Sequence, residues 1–191
     1  MKRFLPLIMF TVLVVAFRVV GSLFPESFPN FQPLGALFFC GALMAKDWRA
    51  WAAPLAAWLV TYPIPAFIAG NQAFMNPETL IVTALAFAAT FFLGKSMTDK
   101  GIATTIAGSV VAALVFHLIT NGVAWITSPL YPKNLNGLVQ SLWTGPVGSP
   151  IPSWVFLRNM AASNLIFTAV FLSARFTLPR FSTAFRSSEA R

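Results

Sequence analysis

Charge is what this sequence has least of. Asp and Glu number 5 and Lys and Arg 13 among 191 residues, so charged side chains make up 9% of the chain, where an ordinary soluble domain carries about 25%. With 57% apolar residues and a mean hydropathy of +0.74, too little polar surface remains to cover a water-facing globule of this size. Lipid has to cover much of it. The few carboxylates also stand in the wrong places for intramembrane chemistry. Glu26, Asp47, Glu78, Asp99 and Glu189 fall in expected loops, at span ends or in the tail, leaving none to carry a proton or sodium ion across the membrane centre. That disfavours an ion-coupled transporter.

Cysteine and histidine are equally scarce, with one of each. Cys40 lies inside an apolar run, so the chain has neither a disulfide framework nor a cysteine metal site, and the residue reads as a small buried hydrophobe. A lone His117 without an intramembrane carboxylate rules out most haem, zinc and two-metal sites, and no cofactor is expected. Catalytic arrangements fail on geometry. Ser109 and His117 share one expected helix at a separation of about 12 Å along its axis, beyond hydrogen-bond reach. Ser153 and Ser163 lack the Gly-x-Ser-x-Gly context of a nucleophile elbow. An enzyme is not expected. The net charge of +8 is scattered between apolar runs instead of forming a basic patch, which excludes nucleic acid as a partner.

What the chain does have is six apolar segments, roughly 4–24, 32–45, 50–70, 78–94, 102–124 and 153–175. Their lengths predict an all-α integral membrane bundle of about six transmembrane helices over residues 1–175, followed by a basic tail over 176–191. The apolar run after Met1-Lys2-Arg3 is too long for a secretory signal and is read as a retained first helix. The second segment is short for a full span. Pro54, Pro63 and Pro65 should kink the third or end it early.

Lys and Arg in short loops are held on the cytoplasmic side during insertion. Lys2 and Arg3, Lys46 and Arg49, Lys95 and Lys100, then Arg175, Arg180, Arg186 and Arg191 fall in alternate connections, with Lys133 alone on the other side. This pattern puts both termini in the cytoplasm, with the chain multi-pass in a bacterial inner membrane. The long connection 125–152 then lies outside. Its Asn134, Asn136, Gln140, Tyr131 and Trp143, set among Pro and Gly, suit an ordered, hydrogen-bonding loop.

Polar groups in hydrocarbon are costly, which makes them candidates for function. Arg18 lies roughly 20 Å along the first helix, in its outer third. His117 and Asn121 stand four apart on the outward half of the fifth helix and share a face. The sixth helix carries Arg158 and Asn159 in its outer third, with Asn164 deeper. Arg18, His117, Asn121 and Arg158 are therefore expected to face one cavity open to the outside. Its arginines would pair with a carboxylate or phosphate through two parallel hydrogen bonds.

The stretch Pro29-Asn30-Phe31-Gln32-Pro33-Leu34-Gly35-Ala36-Leu37-Phe38-Phe39-Cys40-Gly41-Ala42 resembles the N-terminal signature of an uncharacterised family of small bacterial membrane proteins described as transport proteins. His117-Leu118-Ile119-Thr120-Asn121-Gly122-Val123-Ala124-Trp125, with Tyr131-Pro132 and Asn136-Gly137-Leu138, resembles that family's second block. The family is in turn similar to the substrate-binding S components of energy-coupling factor (ECF) transporters. This resemblance implies a six-helix bundle that captures a vitamin-like solute from outside. It makes Asn30, His117, Asn121 and Trp125 site candidates beside Arg18, Arg158 and Asn159. S components commonly carry Ala-x-x-x-Ala on the first helix for docking to a coupling subunit. This chain has Thr11, Val15 and Val19 on such a face, whose bulk keeps helix backbones apart. The expected function is a solute-binding transport component, working alone or with a coupling or other membrane subunit. The alternative is a structural or assembly subunit of a larger membrane complex with no ligand of its own.

Overall fold

The computed structural model describes residues 5–24, 27–44, 51–70 and 76–177. The tail from 178 onward lies outside these residues, as do Lys2, Arg3, Glu26, Lys46, Arg49, Asn71 and Gln72. The described residues form eight helices: α1 (Leu5–Leu23), α2 (Leu34–Met44), α3 (Ala52–Thr61), α4 (Ile64–Ala69), α5 (Pro77–Ser96), α6 (Ile102–Thr127), α7 (Leu135–Trp143) and α8 (Ser153–Thr177). No strand occurs among the described residues.

Three helical stretches among the described residues are long and apolar enough to cross a membrane: Pro77–Ser96, Ile102–Thr127 and Ser153–Ser173. Each presents apolar side chains outward, such as Ile81 and Leu85 on α5, Val111 and Leu114 on α6, and Ile166 and Val170 on α8. Polar side chains turn inward. Thr90 and Ser109 are fully buried and return their hydroxyls to helix carbonyls, Ala86 O at 3.0 Å and Ile106 O at 2.7 Å. An apolar exterior around a partly polar interior is the arrangement of a membrane protein.

The remaining expected spans are shorter, with apolar stretches at Val12–Leu23, Leu34–Leu43 and Ala52–Ile68 among the described residues. Helix α2 has 11 residues and rises about 16 Å, half the thickness of a hydrocarbon core. The expected third span breaks at Tyr62-Pro63 into α3 and α4, because Pro63 and Pro65 supply no amide hydrogens for a continuous ladder.

Local sequence sets several helix ends. Asn76 caps α5, its Oδ1 accepting from Glu78 N at 3.0 Å, with Pro77 at the first helical position. Glu78 and Lys95 stand at the ends where the helix dipole favours each charge. Helix α6 runs through Trp125 to Thr127, past the expected boundary at 124. The connection expected over 125–152 contains α7, capped by Asn134 Oδ1 accepting from Gly137 N at 2.9 Å. Gly137 packs directly on the Pro132 backbone, where any Cβ would overlap the carbonyl.

Helix α5 packs along α2 and α6, α6 along α8, α1 against α4 and α3, and α7 against α6 and α8. Phe38 of α2 stacks on Phe87 of α5 with ring centroids 4.4 Å apart. Deeper along the same contact, Gly94 lies against the Phe39 backbone so closely that no Cβ fits. Asn164 Nδ2 of α8 donates to Ser109 O of α6 at 3.0 Å. Helices α2, α5, α6 and α8 thus form a closely packed block, and α1, α3 and α4 lean on one side of it.

Candidate functional site

A cavity of about 680 Å³ opens where the C-terminal part of α1, the break between α3 and α4, the N-terminal half of α5, the C-terminal half of α6 and the start of α8 converge. This volume is in the range of sites that hold small organic ligands. The turn between α1 and α2 forms its rim. There Asn30 adopts a left-handed φ of 60°, which asparagine tolerates better than other side-chain-bearing residues. Its Oδ1 accepts from Gln32 Nε2 at 3.0 Å, holding the turn with both amides on the cavity wall.

Arg18 lies on the α1 wall. Its Nε is buried without a hydrogen-bond partner, and no carboxylate pairs with the guanidinium among the described residues. Two neighbours share this condition. Trp58 and Tyr62, one turn apart and edge-to-face at 5.7 Å, line the same wall, and Trp58 Nε1 and Tyr62 Oη are likewise buried and unpartnered. A buried polar group without a partner costs about 1–3 kcal/mol, and such groups call for a specific explanation. Three of them gather beside one cavity.

The α6 wall is differently built. His117 Nε2 lies 2.9 Å from Leu142 O in α7, and Asn121 Nδ2 lies 3.1 Å from His117 Nδ1 and 3.0 Å from His117 O. Both imidazole nitrogens are engaged, so neither is free to take a proton from Ser153, which also borders the cavity. Phe17, Phe31, Phe87 and Phe116 complete the walls.

Of the residues singled out in the sequence, Arg18, Asn30, His117 and Asn121 therefore meet at one cavity. Arg158, Asn159 and Trp125 do not line it. Arg158 is exposed, its guanidinium 5.1 Å from the Trp154 ring centroid and its Nε donating to Asn159 Oδ1 at 3.1 Å. The expectation that it shares a cavity with Arg18 is corrected. Successive helix positions turn by about 100°, so Arg158 faces out while Asn159 faces in. Asn159 is buried and donates to Pro29 O at 3.0 Å, pinning the rim turn to α8. Trp125 belongs to the last turn of α6, and its Nε1 donates to Pro132 O at 2.9 Å. Lys133 Nζ donates to the carbonyls of Trp125 and Ser128, closing the C-terminus of α6. Trp58, Tyr62 and Gln32 were missed because aromatic residues in spans read as apolar and Gln32 stood at an expected span boundary.

A family model matches residues 1–184. The chain belongs to the family of unknown function DUF6580. No curated protein and no solved structure matches it. The matched span takes in both stretches singled out in the sequence, the first forming the rim turn and α2 and the second carrying His117 and Asn121. The likeness to ECF S components extends beyond what this membership establishes.

Proposed function

We propose that this DUF6580 chain is a membrane transport component that binds a small anionic solute, of vitamin-like size, in the cavity between α1 and α6. The observation that carries the reading is the Arg18 guanidinium on the cavity wall, its Nε buried without a partner among the described residues, with Trp58 Nε1 and Tyr62 Oη beside it also lacking partners there. A guanidinium half-buried in a membrane bundle with no partner for its Nε is costly. A carboxylate or phosphate would offset that cost through charge-assisted hydrogen bonds. The likeness to S components agrees with capture by a small helical bundle. In this reading six passes place both termini in the cytoplasm and open the cavity outward, where α7 and the rim turn lie.

Two experiments test this. Thermal unfolding of the purified chain should shift upward with a member of a panel of small carboxylates and phosphates, since a ligand that binds the folded state stabilises it. No shift with any anion, together with a co-purifying protein lost on Arg18→Ala, would favour the assembly-subunit reading. For orientation, a single cysteine at Asn134 in a Cys40→Ala background should react with an impermeant thiol reagent on intact cells, and one at Lys100 should not. The reverse pattern would invert the topology.

A further inference from the structure

The cavity walls differ in hydrogen-bonding sense, and that difference defines a ligand more closely than charge alone. On the α6 wall the sense can be assigned outright, because the chain of contacts ends on backbone carbonyls, which only accept. His117 Nε2 faces Leu142 O at 2.9 Å, so Nε2 carries the hydrogen and Nδ1 of the neutral ring is an acceptor. Asn121 Nδ2 faces both that Nδ1 and the His117 carbonyl. Its two hydrogens are therefore spent, and flipping the amide would set its oxygen against the carbonyl oxygen. What Asn121 keeps for the cavity is Oδ1, an acceptor with no partner of its own.

Arg18, Trp58 and Tyr62 also line the cavity, and their Nε, Nε1 and Oη are buried donors without partners among the described residues. Helix α1 packs on α3 and α4, whereas α6 packs on α2, α5, α7 and α8, so the donors and the acceptor come from different groups of helices. Phe17, Phe87 and Phe116 line the same cavity, and aromatic walls favour a flat ring.

We propose that the solute is an aromatic or heteroaromatic carboxylate bearing an N–H donor. Its carboxylate meets Arg18, its ring lies among the phenylalanines, and its N–H donates to Asn121 Oδ1. This inference rests on the anion-binding reading above and adds the ring and the donor to it.

The test is calorimetric titration of the full chain in lipid nanodiscs with indole-2-carboxylate, indole-3-acetate, indole-3-propionate and indole-3-butyrate, each beside its N-methyl analogue. The series varies the distance between carboxylate and N–H. At least one indole acid should bind about tenfold or more tightly than its N-methyl partner, because a group built to accept a hydrogen bond is left unpaired by the analogue. Asn121→Ala should bring that pair to within about twofold. Trp58→Phe should weaken both members and leave their ratio unchanged. Melting of each variant without ligand establishes that it is folded, and Asn121→Ser serves if the alanine variant is not. Equal affinity within every pair in the wild type, or a ratio that survives loss of Asn121, overturns the donor assignment. If non-aromatic carboxylates or phosphate bind through Arg18 and no indole acid does, the aromatic class falls and anion binding stands. If no anion binds at all, both readings fall.

Discussion

Helices α2, α5, α6 and α8 meet through stacked rings and glycine-to-backbone contacts, whereas the side built by α1, α3 and α4 holds prolines, a helix break and three buried polar atoms without partners among the described residues. In the first group Phe38 and Phe87 stack, Gly94 touches the Phe39 backbone, and the buried Asn164 bridges to Ser109. In the second, Arg18, Trp58 and Tyr62 carry buried nitrogens or oxygens that nothing among the described residues satisfies. The cavity lies along the seam. The difference teaches where each task is placed: close packing that fixes the fold stays in the block, where Asn164 Oδ1 is the one buried side-chain atom among the described residues without a partner, and the other three such atoms gather on the side that leans against it.

The strongest way to break this division is to disturb the block. Gly94→Leu forces a side chain into the Phe39 carbonyl, and overpacking against backbone should cost about 3 kcal/mol or more. The expected result is little monodisperse protein by size-exclusion chromatography and no measurable ligand binding. A variant that stays folded with normal melting would show that α2 and α5 are not closely joined.

Disturbing the leaning wall should separate binding from folding. Arg18→Met keeps an apolar stem and removes the guanidinium, so affinity for an anion should fall about a hundredfold. Stability in the absence of ligand should hold or rise by about 1 kcal/mol, since an uncompensated buried charge has been removed. Titration and thermal unfolding on the same samples read the two effects. A large loss of stability would mean that Arg18 serves the fold.

An intermediate effect is expected at the hinge between the regions. Asn159→Ala leaves Pro29 O without its donor and should destabilise by about 1–3 kcal/mol. Because the rim turn carries Asn30 and Gln32, affinity should also fall, by less than for Arg18→Met. Hydrogen exchange of the 28–33 amides should quicken in this variant and not in Arg18→Met.

The long helices were the most legible part of the sequence. Helices α5, α6 and α8 begin or end within a few residues of the apolar segments 78–94, 102–124 and 153–175, because continuous apolar runs of that length leave the backbone little alternative to a helix in lipid. Helix α7 was not legible. It is short, lies in a Pro- and Gly-rich connection, and depends on the Asn134 cap and on the close seat of Gly137 against Pro132, a contact no periodicity reveals. At the cavity, depth along the helices brought out Arg18, His117 and Asn121, since polarity in a span is conspicuous. Trp58 and Tyr62 carry their polar atoms on apolar rings and passed as packing.

Arg158 shows what depth cannot provide and yields the smallest expected effect. It lies at the depth of the cavity, one position before the inward-facing Asn159, but about 100° of helix rotation turns it to the outer surface. There its guanidinium covers the Trp154 ring at 5.1 Å, and Trp154 faces Trp143 of α7 with centroids 6.3 Å apart. An exposed cation–π contact is worth about 0.5–1 kcal/mol. Arg158→Ala should therefore lower thermal stability only slightly and leave anion affinity within about twofold of the wild type, as befits a surface substitution. Arg158→Lys should recover most of the stability, because an ammonium also sits favourably over an indole face. Parallel titrations of Arg158→Ala and Arg18→Met make the comparison. A tenfold or greater loss of affinity in Arg158→Ala would require α8 to rotate on binding and bring the second guanidinium to the solute, and the cavity would then have two cationic walls instead of one.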